Sequence, residues 1–427
     1  MAHFWFLSAP LAGHLDWGGF LPTARALIDR GHRVTWLSEP SIAGAVEAGG
    51  VPFQPIAHSG WLWPPPPVPD LTTLKPMDAM FLRYRRALDT WLSEDLVAQA
   101  VEAIVAQADH TESDGKPDNR PDVIVSDSFL TAAAIAAEKL NVPFAVAGWP
   151  AGQPLDESRL YAIQTDLGRI SIERLGRLFD RFGVRGVNFS GGIAASVQSP
   201  LLHLSYFSRG WYQAEADFLP QTQFVGGHTI APKGDPPGWL AAIPPEAPLA
   251  LITLGSTFTG DLGFFSWAAQ AAARLGLIQI VVIGNNPFTP EQKAMLKAAL
   301  PAGTRLLNWI DYAQVFPRLC VIIHHGGMAT THRALLHALP QIVVPHAADQ
   351  RGQAERVAQA KVGLNLTAFD VQRGQLLPAI RAVIADPKVH AAAIAMQAEL
   401  AALGGVDRAA ELLIELALTK QEDHAKR

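Results

Sequence analysis

At 427 residues the chain exceeds what one ordinary hydrophobic core organises, so two domains of roughly 200 residues each are expected. Apolar residues make up 49% and charged ones 17%; this is a globular balance with ample core, and a formal charge of -5 argues against nucleic acid or an anionic membrane as the main partner. A single cysteine, Cys320, excludes an intrachain disulfide and fits a reducing, cytoplasmic setting.

The apolar run His3 to Ser8 is too short, and lacks the basic flank, for a signal peptide, so a first buried strand is expected there. No stretch approaches ~20 uninterrupted apolar residues, so no transmembrane segment is expected, while peripheral membrane contact stays open. After Ala9-Pro10-Leu11-Ala12-Gly13-His14, the residues Phe20, Leu21, Ala24, Leu27 and Ile28 recur at helical spacing as far as Gly31. Arg33 to Leu37 then starts a second strand, and this βαβ unit puts His14 at a strand's carboxyl end, where open parallel sheets bind ligands.

Trp61-Leu62-Trp63 followed by four prolines, Pro64 to Pro67, can be neither helix nor central strand, because proline removes the N–H donors both need. It reads as an exposed, semi-rigid loop, either a wall of an apolar pocket or a loop folded back on its own domain. Met77 to Gln107 has helical character, and Asp109 to Asn119 reads as a polar, mobile surface loop. Asp122 to Ser126 is a further buried strand with Asp127 at its end; a helix follows to Leu140, then a strand Val142 to Ala147 with Trp149 at its tip. Tyr161 to Arg185 suggests one or two helices.

Glycine and proline crowd the stretch between Val225 and Pro248, which marks a linker over 226–248 after a first domain of 1–225. Beyond it, apolar runs at Leu249 to Leu254, Ile278 to Ile283, Leu306-Leu307, Val321 to Ile323, Ile342 to Val344 and Gly363 to Leu366 alternate with helical segments, giving a second domain over 249–405. Gln372 to Ala417 reads as helices. The class is α/β: two doubly wound, Rossmann-like parallel-sheet domains facing across a cleft.

Val321-Ile322-Ile323-His324-His325-Gly326-Gly327-Met328-Ala329-Thr330-Thr331 is a strand that stops at a glycine turn and feeds a helix N-terminus. Unpaired N–H groups and the positive end of the helix dipole favour an anion there. Glycine lets the backbone approach a diphosphate, Thr330 or Thr331 adds a hydroxyl, and His325 adds one more donor. An ordinary βα turn would carry the same Gly-Gly.

The order of residues here resembles the donor box of the UDP-glycosyltransferase family, the inverting glycosyltransferases of GT-B fold. The similarity starts at Asn308-Trp309-Ile310-Asp311-Tyr312, runs through His325-Gly326-Gly327, and closes at Pro345-His346-Ala347-Ala348-Asp349-Gln350. Gly13-His14, followed by Phe20 to Leu27 and Arg30 to Thr35, is similar to the family's N-terminal motif, and Pro121 to Asp127 to its strand-end aspartate. The resemblance implies a hexosyltransferase that moves a sugar from a nucleotide donor to a small-molecule hydroxyl. His14 would be the general base and Asp127 its orienting carboxylate, which fixes the tautomer and steadies the imidazolium.

By the same resemblance the donor site takes Gly255, Ser256, Trp309 as base-stacking surface, Ile310 at the base edge, His325, Gly326, Gly327, Met328, Ala329, Thr330, and Asp349 with Gln350 on the sugar hydroxyls. It also implies that the last helix, over 406–427, crosses back to the first domain. Trp61, Trp63, Phe129 and Trp149 are candidates for a lipophilic acceptor site. No Asp-x-Asp pair is present, so neither a metal nor any cofactor beyond the donor co-substrate is expected. Where plant members carry Asn, Glu and Trp in the box, this chain has Ala329, Arg333 and Ala347, closer to bacterial members acting on sterols, antibiotics or carotenoids. UDP-sugar and dTDP-sugar donors both stay open, as do glucose and a deoxysugar. The rival readings are a GT-B nucleotide-sugar epimerase and a non-catalytic nucleotide-sugar-binding helper; neither gives His14 and Asp127 a purpose.

Overall fold

A computed structural model describes the chain except Trp17, residues 66–69, 109–118, 155–157, Arg159, Ala194, 214–216, 256–260, 285–287, 347–348 and 426–427. Two compact units emerge: Met1–Tyr206 with Glu215–Val225 and Val406–Arg427, and Phe207–Ala214 with Gly226–Gly405.

The first unit is built on seven strands: β1 (His3–Leu7), β2 (Arg33–Ser38), β3 (Phe53–Pro55), β4 (Val123–Ser126), β5 (Phe144–Ala147), β6 (Leu202–Ser205) and β7 (Thr222–Phe224). They pair in parallel in the order β3-β2-β1-β4-β5-β6-β7. β1 reads as an unbroken apolar run because helices cover both faces of the sheet. Trp5 packs with the helices on one face, and Phe6 stacks on Trp36 at 5.6 Å on the other, beside Phe20 of the helix Phe20–Asp29. The helix Thr131–Lys139 is buried from Thr131 to Ala137. Its alanines let it lie close against Glu94–Ala108, where it packs with Val97, Val101 and Ile104.

The second unit carries six parallel strands: β8 (Leu249–Thr253), β9 (Ile278–Val282), β10 (Arg305–Leu307), β11 (Leu319–His324), β12 (Gln341–Val343) and β13 (Gly363–Asn365), ordered β10-β9-β8-β11-β12-β13. In both sheets the strand order reverses beside the first strand: β1 pairs with both β2 and β4, and β8 with both β9 and β11. In open α/β sheets the carboxyl ends of strands at such a reversal form the ligand-binding crevice.

Several expectations shift. Phe207–Ala214 groups with the second unit although it lies within 1–225; there Trp211 donates its indole N–H to Gln353 Oε1 at 3.2 Å. The 226–248 stretch is packed into the second unit rather than left as a tether: it forms the short helix Gly238–Ala241, buries Leu240 and Ile243, and is held where Arg318 donates to the carbonyls of Leu240, Ile243 and Pro244. The helical stretch from Met77 is two helices, Pro76–Trp91 and Glu94–Ala108, and Tyr161 onward is one helix, Ala162–Phe182, ended by Gly183 in the left-handed conformation. β3, β6 and β7 are additional strands. Residues 109–118 of the expected polar loop, and Pro66-Pro67 of the proline run, lie outside the described residues.

Pro387–Thr419 is long and apolar enough to span a membrane by length and composition alone, contrary to the expectation that no such segment exists. Within it, however, one helix ends at Ala401 and another begins at Gly405, the two belonging to different units, and Leu400 and Leu413 are buried in protein. The stretch is therefore two separate helices and not one continuous rod, and the structure buries only a minority of its residues.

Candidate functional site

In the first unit, Leu7 of β1 pairs with Ser126 of β4, so the chain leaves both strands side by side at the reversal of strand order. From β1 it enters a short 3-10 turn, Ala12–Leu15, where the His14 N–H donates to Leu11 O at 2.9 Å. From β4 it passes directly into Asp127. The His14 Nδ1 lies 3.1 Å from Asp127 Oδ2; the carboxylate is fully buried and the His14 side chain is 12% exposed. An ionised carboxylate only accepts, so in this contact the proton belongs on Nδ1, which makes Nε2 the acceptor nitrogen of the ring. The second oxygen, Oδ1, accepts the Phe129 N–H at 2.7 Å. Asp127 therefore does not cap the following helix, which starts at Thr131 behind Leu130.

Aromatic rings surround this pair. Trp61 meets the His14 ring at 5.0 Å and 80°, Phe129 lies 6.1 Å away, and Phe129 meets Trp149 edge to face at 5.7 Å. Beyond Phe129 and Trp149 opens a cavity of about 440 Å³, which Trp91, Pro150, Val197 and Gln198 help to line, with no Asp, Glu, Lys or Arg among its described walls. His203 closes one side as a neutral ring: its Nδ1–H donates to Trp149 O, its Nε2 accepts the Ser199 N–H, and burial lowers its pKa to about 4. Of the four expected acceptor residues, Trp61, Phe129 and Trp149 are brought together; Trp63 stands 40% exposed and is not among these rings. Trp91 and the 190–198 segment were not foreseen, because in sequence they look like a helix aromatic and a featureless loop.

In the second unit β8 and β11 run side by side, with His324 opposite Thr253. Gly255 and Gly327 make the slot for the His325 ring: a Cβ on Gly255 would stand 2.7 Å from His325 Cε1, and one on Gly327 2.5 Å from Nε2. Burial first, then the neighbouring His324 and His346, push the His325 pKa down to about 3. The ring is thus a neutral donor rather than a cation. Gly326 is required at its position, since φ is +88° and a Cβ would lie 2.7 Å from Val343 Cγ1 and 2.9 Å from Gln350 O. The helix Met328–Leu336 begins behind Gly327. Its first turn aims the N–H groups of Met328, Ala329 and Thr330, which have no acceptor within a helix, toward its N-terminal end.

His324 is structural. Its Nδ1 accepts the Gly326 N–H at 3.1 Å, its Nε2–H donates to Gln341 at 3.0 Å, and burial lowers its pKa to about 4. Thr331 donates its hydroxyl to Gly327 O at 3.0 Å, so of the two threonines expected to offer a hydroxyl this one is turned into its own helix. Trp309 is 60% exposed on the loop after β10, while the Ile310 side chain is buried and anchors that loop. Arg333 lies with its guanidinium 4.4 Å over the Tyr312 ring. Asp349 precedes the helix Gln350–Gln359; Gln350 is buried, and its Oε1 accepts the His346 N–H at 2.8 Å, closing the loop after β12. Ser256 and Ala347 lie outside the described residues.

His346 and Asp261 were not foreseen as a pair. The His346 Nδ1–H donates to Val344 O, and Nε2 lies 3.6 Å from Asp261 Oδ2, where the imidazole holds that carboxyl below the ordinary carboxylate range. Asp261 also caps the helix Leu262–Ala273 through the Phe264 N–H. Among the described residues, no group of three or more His, Cys, Asp or Glu is arranged to hold a metal ion.

Residues 269–416 match the model of the erythromycin biosynthesis protein CIII-like C-terminal domain. The chain is 22% identical over 433 residues to 4'-demethylrebeccamycin synthase from Lentzea aerocolonigenes, covering 95% of this chain and 97% of that protein. It is 25% identical to oleandomycin glycosyltransferase from Streptomyces antibioticus, covering 96% and 90%. Among solved structures it is similar to a glycosyltransferase of kitacinnamycin, with a TM-score of 0.71 and 23% identity over 97% of this chain and 99% of that one. A calicheamicin glycosyltransferase superposes with a TM-score of 0.70 at 23% identity, over 97% and 98%.

Proposed function

We propose, on the premise that this chain is a glycosyltransferase of GT-B fold, that it transfers a sugar from a dTDP- or UDP-sugar to a hydroxyl of an uncharged, lipophilic small molecule, with inversion and without a metal. The relatives it matches include an oleandomycin glycosyltransferase, a demethyllactenocin mycarosyltransferase and an erythronolide mycarosyltransferase, and three similar structures are described as complexes with thymidine diphosphate. Those ligands favour a thymidine donor, and Arg333, which stands where plant members carry Glu, lies over Tyr312. The cytoplasm, where nucleotide sugars are made and the lone thiol stays reduced, is the compartment this reading requires.

One observation carries the mechanism: a buried carboxylate 3.1 Å from His14 Nδ1 at the reversal of strand order. The acceptor hydroxyl gives its proton to His14 Nε2, and its oxygen attacks the anomeric carbon from the side opposite the diphosphate. The bond from that carbon to the diphosphate oxygen breaks with its electron pair, and the nucleoside diphosphate leaves as an anion. Asp127 stabilises the imidazolium formed, while the neutral His325 N–H and the first-turn amides of Met328, Ala329 and Thr330 receive the growing charge. Trp309 stacks on the base, and Asp349 and Gln350 read the sugar hydroxyls.

The test is a panel of UDP- and dTDP-sugars followed by thermal stabilisation, then turnover on lipophilic alcohols and phenols by wild type and His14→Ala. The variant is expected to keep donor binding and to lose transfer by at least ~100-fold. Undiminished transfer by the variant removes His14 from the mechanism. Donor binding without transfer to any acceptor by wild type favours the epimerase or the helper.

A further inference from the structure

The geometry points to Trp61 as a positioning residue that holds His14 in its working orientation, a part separate from that of an acceptor wall. The inference rests on the reading of His14 as base. The carboxylate of Asp127 holds His14 at Nδ1, and what the ring packs against sets how far an imidazole held at that nitrogen can turn. The indole of Trp61 packs 5.0 Å from the His14 ring at 80°, which removes that freedom on one side.

Trp61 is itself held at several points. Its indole N–H donates to Phe129 O at 3.2 Å, and the Phe129 N–H donates to Asp127 Oδ1 at 2.7 Å. The side chain that braces the imidazole is therefore tied to the same short segment that orients the carboxylate. Its backbone N–H donates to Ser59 Oγ at 3.3 Å, and Ser59 in turn donates both its hydroxyl and its N–H to Glu39 Oε1 at 2.6 and 2.9 Å. The next residue, Leu62, donates its N–H to Thr90 O at 2.8 Å. Gly60 lets the chain turn between these anchors, with φ at +90°. A residue needed only to offer apolar surface to a ligand would not require its N–H groups and both neighbours to be fixed. A brace does, since displacing a catalytic group by about 1 Å can cost roughly 100-fold in rate.

The test compares wild type, Trp61→Leu, Trp61→Phe and His14→Ala in steady-state transfer, with donor binding measured separately. The histidine ring nitrogens are read by NMR on protein labelled with 15N-histidine. Trp61→Leu is expected to lower kcat by about 10- to 100-fold with donor affinity unchanged, and to turn the single His14 tautomer into a mixture. Trp61→Phe, which keeps a ring and loses the N–H, is expected to recover most of kcat; a folded Phe variant also keeps the test valid if the Leu variant does not fold. If Trp61→Leu keeps wild-type kcat and raises only the KM for acceptor, or if the His14 resonances are unchanged, Trp61 is a wall and the inference falls. Activity retained by His14→Ala would instead overturn the reading beneath it, whatever the Trp61 variants do.

Discussion

Lowering the pH from 7 to 5 should destabilise this protein through three imidazoles that its fold holds neutral. His203 and His324 each have both ring nitrogens committed: one donates to an oxygen, and the other accepts a backbone N–H, from Ser199 and Gly326 respectively. A second proton would set N–H against N–H in a buried site, and burial accordingly lowers both pKa values to about 4, with His325 at about 3. An unfolded chain binds these protons near pH 6.5, whereas the folded chain refuses them until about pH 4 or below. Stability is therefore present above pH 6.5 and falls as pH drops through that window, by about 1.4 kcal/mol per pH unit for each ring, or about 2 kcal/mol each by pH 5. The two rings of the second unit sum to about 4 kcal/mol, a large part of the roughly 5–15 kcal/mol that holds a typical domain folded. Two of the three lie in the second unit, which should yield first. Carboxylates held below their ordinary range, such as Glu94 and Asp261, act at lower pH and do not overlap this window. Urea unfolding between pH 5 and 7 measures the slope directly. In His324→Asn the amide oxygen can still accept the Gly326 N–H across the same two-residue turn, so the acid slope of the second unit should drop by one proton. Equal stability at pH 5 and 7, or an unchanged slope in that variant, would refute the reasoning.

Gly326→Ala combines a left-handed backbone, φ +88°, with a Cβ 2.7 Å from Val343 Cγ1; a loss of about 2–4 kcal/mol is expected by thermal or urea unfolding, with loss of donor binding by calorimetry. Trp309→Ala removes a ring that is 60% exposed and so little involved in the core; the melting temperature should hold while nucleoside diphosphate affinity drops about 5- to 10-fold, and a melting temperature that falls instead would make Trp309 a packing residue.

Elements whose residues are buried on both faces were legible before any coordinates. β1, β4, β8 and β11 are near-continuous apolar runs that a parallel sheet requires. β3 and β7 were not, because a three-residue edge strand with exposed positions carries no periodic pattern. β6 escaped for another reason: its buried His203 and Ser205 read as polar until the partners of that histidine are known. The domain boundary shows the same limit. Proline and glycine in 226–248 suggest a tether, yet Leu240 and Ile243 within it complete a core.

The parts of the candidate site were unequally legible, and the physical reason is where each is encoded. The turn proposed to cradle an anion lies mostly in one contiguous strand, turn and helix, so residue spacing says which of its groups converge. His14 and Asp127 are 113 residues apart, but each sits at the carboxyl end of its own strand, and only the adjacency of β1 and β4 is needed to bring them together. The cavity proposed for the acceptor has no such shortcut. Its walls come from the end of one helix at Trp91, the loops at Ser128-Phe129 and Trp149 to Pro154, and the segment from Ser190 to Gln198. None of these segments has a period that says which way it faces, and their convergence is a property of the tertiary fold. His346 and Asp261 met for the same reason, each on a loop beyond a different strand of the second unit. On the proposed function, a change of substrate would therefore proceed by altering the non-local walls while the local turns assigned to the reaction stay as they are.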